Sequence, residues 1–125
     1  MNAHSMAQRA YARDSAPIRT DRGAEYDVFA RVTHHLKIAE QERNSNFNAL
    51  ARAIHDNRQL WALLAVDVAD DGNALPQELR ARIFYLAEFT NTFSRRVLTE
   101  GASATALVDI NTAIMRGLRQ EGAPK

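Results

Sequence analysis

The sequence predicts an all-α fold, a compact antiparallel bundle of about four helices. Three observations point there. Apolar residues recur at spacings of three and four in four separate stretches. Short polar breaks carrying capping residues and glycines separate those stretches. Nowhere does the chain alternate apolar and polar residues as a half-buried strand does, and it has no glycine-rich phosphate loop and no internal repeat.

The elements follow in order. Residues 1–22 are rich in Ala and Arg and are broken by Pro17; they read as a mobile N-terminal arm. Within it, residues 5–14 predict a short helix with Met6, Ala10 and Tyr11 on one side. Residues 23–120 form the helical bundle domain, and 121–125 a flexible tail. The first bundle helix runs from about Glu25 to Arg43, with Phe29, Val32, Leu36 and Ala39 on one face and Thr20 or Asp21 as its cap. Asn44-Ser45-Asn46 breaks the chain, and Ser45 or Asn46 caps a second helix that extends to about Asp70. Its stripe is Phe47, Leu50, Ile54, Trp61, Leu64 and Val68; Asn57 shares that row and needs a hydrogen-bond partner if buried. Gly72 is placed to close this helix in a left-handed conformation, and Pro76 falls in the first turn of the third. The third stripe is Leu79, Ile83, Leu86, Phe93 and Val97, centred near Leu86, with Phe89 on its flank; Gly101 is the stop. Ser103 or Thr105 opens a fourth helix whose Leu107, Ile110, Ile114 and Leu118 point inward, with Asn111 in the same row.

Bulk properties narrow the function. A chain of 125 residues is one domain with room for one core. Sixteen basic residues against fifteen acidic ones give no footprint for nucleic acid or an anionic membrane surface. There is no cysteine, hence no disulfide and no thiolate metal site. Arg9 and Arg13 interrupt the N-terminus where a signal peptide needs its apolar core, and no apolar run reaches membrane-spanning length; a cytoplasmic protein is expected. His34 and His35 are adjacent, so on a helix they point about 100° apart and cannot jointly hold a metal. Asp109 and Asn111, two apart, diverge in the same way. No catalytic, cofactor or metal site is expected, and the chain reads as a binding protein.

What exceeds the needs of a small core is apolar surface. Leu63 and Val66 on the second helix, Phe84 and Tyr85 on the third, and Val108 and Met115 on the fourth stand off the inward rows. These six are the candidate partner-binding residues. Trp61 lies on the inward row and reads as a core anchor. Asp67, Asp70 and Asp71 crowd the negative end of the second helix, where Arg80 or Arg82 across the turn is placed to compensate them.

The segment from Leu60 to Leu118 resembles the FlaF family of flagellar biosynthesis proteins. The resemblance is carried by Leu60-Trp61, Asp67, Asn73, Leu75-Pro76, Leu79-Arg80-Ala81, Ile83, Leu86 and Val97-Leu98. It continues through Leu107-Val108-Asp109-Ile110-Asn111, Ile114-Met115 and Gly117-Leu118. Glu25-Tyr26, Phe29, Arg31 and Val32-Thr33 look like the family's first helix, as does Ala10-Tyr11-Ala12 further upstream. The chain departs at Thr92-Phe93, where the family pattern has Arg-His, and at Thr112, where it has Arg.

The resemblance implies a non-enzymatic cytoplasmic helper of flagellum assembly, acting as a secretion chaperone that binds flagellin before export. Two other readings stand beside it. One is a post-transcriptional regulator of flagellin translation acting with FlbT, for which the balanced charge supplies no obvious RNA surface. The other is a homodimer that buries the surplus apolar surface against itself.

Overall fold

The computed structural model describes residues 21–122, so the expected arm helix at 5–14 and the last three tail residues lie outside the described part. Four helices follow one another: α1 (Asp21–Gln41), α2 (Phe47–Ala69), α3 (Gln77–Glu100) and α4 (Thr105–Gly122). Each packs on its neighbour in sequence, and α1 closes the ring against α4. One core cluster joins Phe29 of α1, Leu60, Trp61, Leu64 and Val68 of α2, Leu75, Ile83 and Ala87 of α3 and its approach, and Ile114 of α4. The other joins Leu36 and Ala39, then Leu50, Ala53 and Ile54, then Val97, and finally Ala104 and Leu107. Early residues of α1 and α3 thus meet late residues of α2 and α4, which is the antiparallel bundle that the periodicity predicts.

Between the two clusters lies a polar layer. Thr33, Asn57, Thr90, Ser94 and Asn111 are all buried, and every helix contributes at least one. Asn111 organises it. Its Oδ1 accepts from Trp61 Nε1 at 2.8 Å, and its Nδ2 donates to Asn57 Oδ1 at 2.8 Å and Thr33 Oγ1 at 3.0 Å. Asn57 Oδ1 thereby finds a donor, while its Nδ2 has no partner. Trp61 is 1% exposed and meets Phe29 edge to face at 5.6 Å, so it is the core anchor its phase predicts.

The helix ends are held by specific groups. Asn46 caps α2, its side chain accepting from Ala49 N. Gly101 ends α3 with φ at 75°, the left-handed stop expected there. Gly72 is not a left-handed residue: α2 ends earlier, at an extended Asp70, and Asp70 and Asn73 side chains organise the turn instead. Pro76 stands at the N-cap, one place before its expected position in the first turn. Phe47, expected inward, is 46% exposed because it opens α2 at the edge of the bundle, ahead of the first core residue Leu50.

Two arginines finish the frame. Arg43 forks between Glu40 and the carbonyl of Ala102, while Glu40 Oε1 accepts from Ala104 N at 2.8 Å, so α1 ties down the α3–α4 connection. Arg80 Nε donates to Val68 O at 2.8 Å and its Nη2 to Asp70 O at 2.9 Å. The compensation expected from Arg80 therefore works through the carbonyls of the negative helix end. Arg80→Ala should cost about 1–2 kcal/mol, and Arg80→Lys should recover only part of it because an ammonium cannot fork. Thermal unfolding followed at the helical circular dichroism band measures both.

Candidate functional site

Among the described residues no group of three His, Cys, Asp or Glu side chains is placed to hold a metal ion. What stands out is exposed apolar surface: among the described residues three of the six exposed large apolar side chains are on α3. Tyr85 is 68% exposed, Phe84 45% and Phe89 39%. On α2, Val66 is 55% exposed but has no exposed large apolar neighbour on its own helix nearer than Phe47.

The inner face of α3 explains this display. Its buried row is Ile83, Ala87, Thr90, Ser94 and Val97, with Leu86 only partly buried. The centre of the face is therefore turned by about 60° from Leu86, at 100° per residue. That turn makes Tyr85 the outermost aromatic and moves Phe84 to a flank rather than the back. Arg58 of α2 donates to Asn91 Oδ1 through Nε at 3.1 Å and Nη2 at 2.7 Å, so the Asn91 flank faces α2. Phe84, two turns before Asn91, shares that flank.

The opposite flank borders α4. It carries Leu86, Phe89 and Phe93, and Tyr85 stands beside it. Phe89 and Phe93 stack with centroids 5.5 Å apart and planes 14° apart, and the Arg96 guanidinium lies 5.5 Å from the Phe93 centroid. Arg96 also pairs with Glu100 at 3.4 Å. Tyr85, Phe89 and Phe93 thus form a row at four-residue spacing along α3.

The six expected binding residues do not form one surface. Phe84 and Tyr85 are exposed on different sides of α3, and Val66 is exposed on α2. Leu63 is half-buried without joining either core cluster. Val108 and Met115 pack on the clusters from the α4 side. On α4, Asn111 reaches Thr33 and Ala104 reaches Glu40, both on α1. The row that sequence phasing missed is completed by Phe89 and Phe93, and its signal was the four-residue aromatic spacing itself.

The described residues form a four-helix bundle with an aromatic row on one helix. The model of the flagellar protein FlaF family matches residues 7–118. The chain belongs to that family, and it is a flagellar protein. Neither a curated protein nor a solved structure matches it. The matched range covers all of α1, α2 and α3 and most of α4. No helix among the described residues is long and apolar enough to cross a membrane.

Proposed function

We propose that the protein is a cytoplasmic, non-enzymatic chaperone that binds flagellin before export and shields a segment that would otherwise polymerise early. The observation that carries this reading is the aromatic display of α3, with Tyr85 68% and Phe89 39% exposed, in a member of a flagellar family. Flagellar membership supplies the context. The aromatic row supplies a surface of the kind that takes the apolar face of an amphipathic helix. Of the six residues singled out by sequence, Tyr85 is the one this surface keeps at its exposed edge.

Purified protein and monomeric flagellin, mixed at micromolar concentration, should elute together from a size-exclusion column as a stoichiometric complex. Two separate peaks at the positions of the free chains would sink the proposal. Light scattering on the isolated protein reads the homodimer alternative directly. Tyr85→Glu should weaken the complex at least about tenfold, because a charge is set into an apolar contact, with helicity unchanged.

A further inference from the structure

Two exposed apolar side chains lie off the aromatic row, Val66 on α2 and Phe84 on α3. They border one groove. The bond from Arg58 to Asn91 sets the antiparallel register of these helices. Seven residues on from Arg58 is Ala65, and seven back from Asn91 is Phe84, so the two stand level. Seven residues are close to two turns, which keeps Ala65 on the flank of Arg58 and Phe84 on the flank of Asn91. A methyl group is too small to cover a phenyl ring across a groove, and Phe84 stays exposed. Val66, next to Ala65, stands on the outer face of α2. An apolar groove therefore runs along the outside of the α2–α3 pair toward the connection between them.

The chain itself supplies a segment that fits. Phe29, early in α1, shares a core cluster with Val68 and Leu75, so α1 opens at the end of the bundle where α2 stops. Residues 1–20 therefore join the bundle at that end, beside Asp70 and Asp71. Both of these are exposed, and among the described residues no ion pair involves either. Arg80 is engaged by the carbonyls of Val68 and Asp70, not by a carboxylate. Two acids thus stand unpaired at the negative end of a helix, where a cation is favoured. Residues 1–20 carry Arg9, Arg13 and Arg19 against one acid, Asp14, with Met6 and Tyr11 as large apolar side chains. Twenty residues span at most about 70 Å, whereas packed helix axes lie about 8–10 Å apart. The match to the family begins at residue 7, so most of this segment belongs to the pattern that defines the family.

We infer that residues 1–20 fold back over the end of α2 and occupy the α2–α3 groove of their own chain. Met6 and Tyr11 meet Val66 and Phe84, and Arg9 and Arg13 lie toward Asp70 and Asp71. A tethered segment acts at an effective concentration on the order of millimolar, so it holds the groove ahead of a second copy at micromolar concentration. The row of Tyr85, Phe89 and Phe93 stays open, because Phe89 and Phe93 lie on the other flank of α3. The inference stands independently of what that row binds.

The full-length chain has no cysteine, so Ser5→Cys carries a single nitroxide label whose paramagnetism weakens the amide signals of residues near it. Amides of residues 65–71 and 81–85 should lose most of their intensity, and those of residues 104–108, at the far end of the bundle, should keep theirs. Adding Arg9→Glu with Arg13→Glu to the labelled chain should restore the lost signals. So should adding Asp70→Lys with Asp71→Lys, because exposed charges of like sign then face each other. Signal loss confined to the first turns of α1 overturns the inference, and so does a loss that both charge reversals leave unchanged. Mixing labelled protein with isotope-enriched, unlabelled protein distinguishes the chain's own groove from a neighbour's. No loss is expected in that mixture; the same pattern there would place the segment on a second copy and overturn the inference. None of these measurements contains flagellin, so their failure leaves the proposed function standing.

Discussion

Asn111→Ala should unfold the bundle at a far lower temperature than any surface change, with a loss of about 3–5 kcal/mol, or roughly 12–20 °C in melting temperature. The reason is that one side chain serves three others. Removing it leaves Trp61 Nε1 without its acceptor and takes the bonded donor from Asn57 Oδ1 and Thr33 Oγ1. All four residues sit in the core, with Asn57 and Asn111 wholly buried, so water cannot easily replace the lost bonds. The void left by the amide adds a packing loss on top. Asn111→Asp separates the effects. It keeps the volume and the acceptor for Trp61 but loses the two donated bonds and buries a charge, so it should be as damaging as alanine or worse. Calorimetric or circular-dichroism melting of both variants decides it; a loss below about 1 kcal/mol for alanine would mean that the polar layer does not hold the helices in register.

How far the fold was legible depends on what each residue announces. Helix number, helix order along the chain and most core positions follow from apolar spacing: Phe29, Leu36, Leu50, Ile54, Trp61, Leu64, Ile83, Val97, Leu107 and Ile114 are all buried as their phase requires. Gly101 and Asn46 announce their roles through backbone chemistry. The miss on α3 has a physical cause. A stripe read from apolar residues alone is pulled toward Leu86 and Phe93, whereas the buried row runs through Ala87, Thr90 and Ser94, which are small or polar and carry little weight in such a reading. Rotating that face changed the site, bringing Tyr85 and Phe89 outward and setting Phe84 against the α2 flank. Val108 and Met115 stand off the inward row yet are half-buried against the core clusters, for a related reason. Phase on a single helix says how far a residue stands from the inward row, but not whether its neighbours partly cover it. The polar layer was half legible: Asn57 and Asn111 were visibly in inward rows, while their pairing is a property of four helices at once.

On the proposed reading that flagellin seats on the aromatic row, Phe89→Glu should abolish binding at micromolar concentration, a loss of about 30- to 1,000-fold for an anchor worth about 2–4 kcal/mol. Phe84→Glu should change affinity by no more than about threefold. The contrast follows from which flank of α3 each residue occupies. Phe89 stacks on Phe93 and borders the thin α3–α4 seam. A carboxylate there would be carried into an apolar contact, and Arg96, over the neighbouring Phe93 ring, is already engaged with Glu100. Phe84 shares the opposite flank, on which Arg58 meets Asn91, so a helix seated on the Tyr85, Phe89 and Phe93 row does not reach it. Both aromatics are similarly exposed, at 39% and 45%, so the two substitutions should cost the free bundle similar and modest stability. Equal helicity with unequal binding is therefore the decisive pattern, and titration of the two variants side by side supplies it. If Phe84→Glu is instead the more damaging, the client rests on the α2 side of α3, and the aromatic row is not its place of binding.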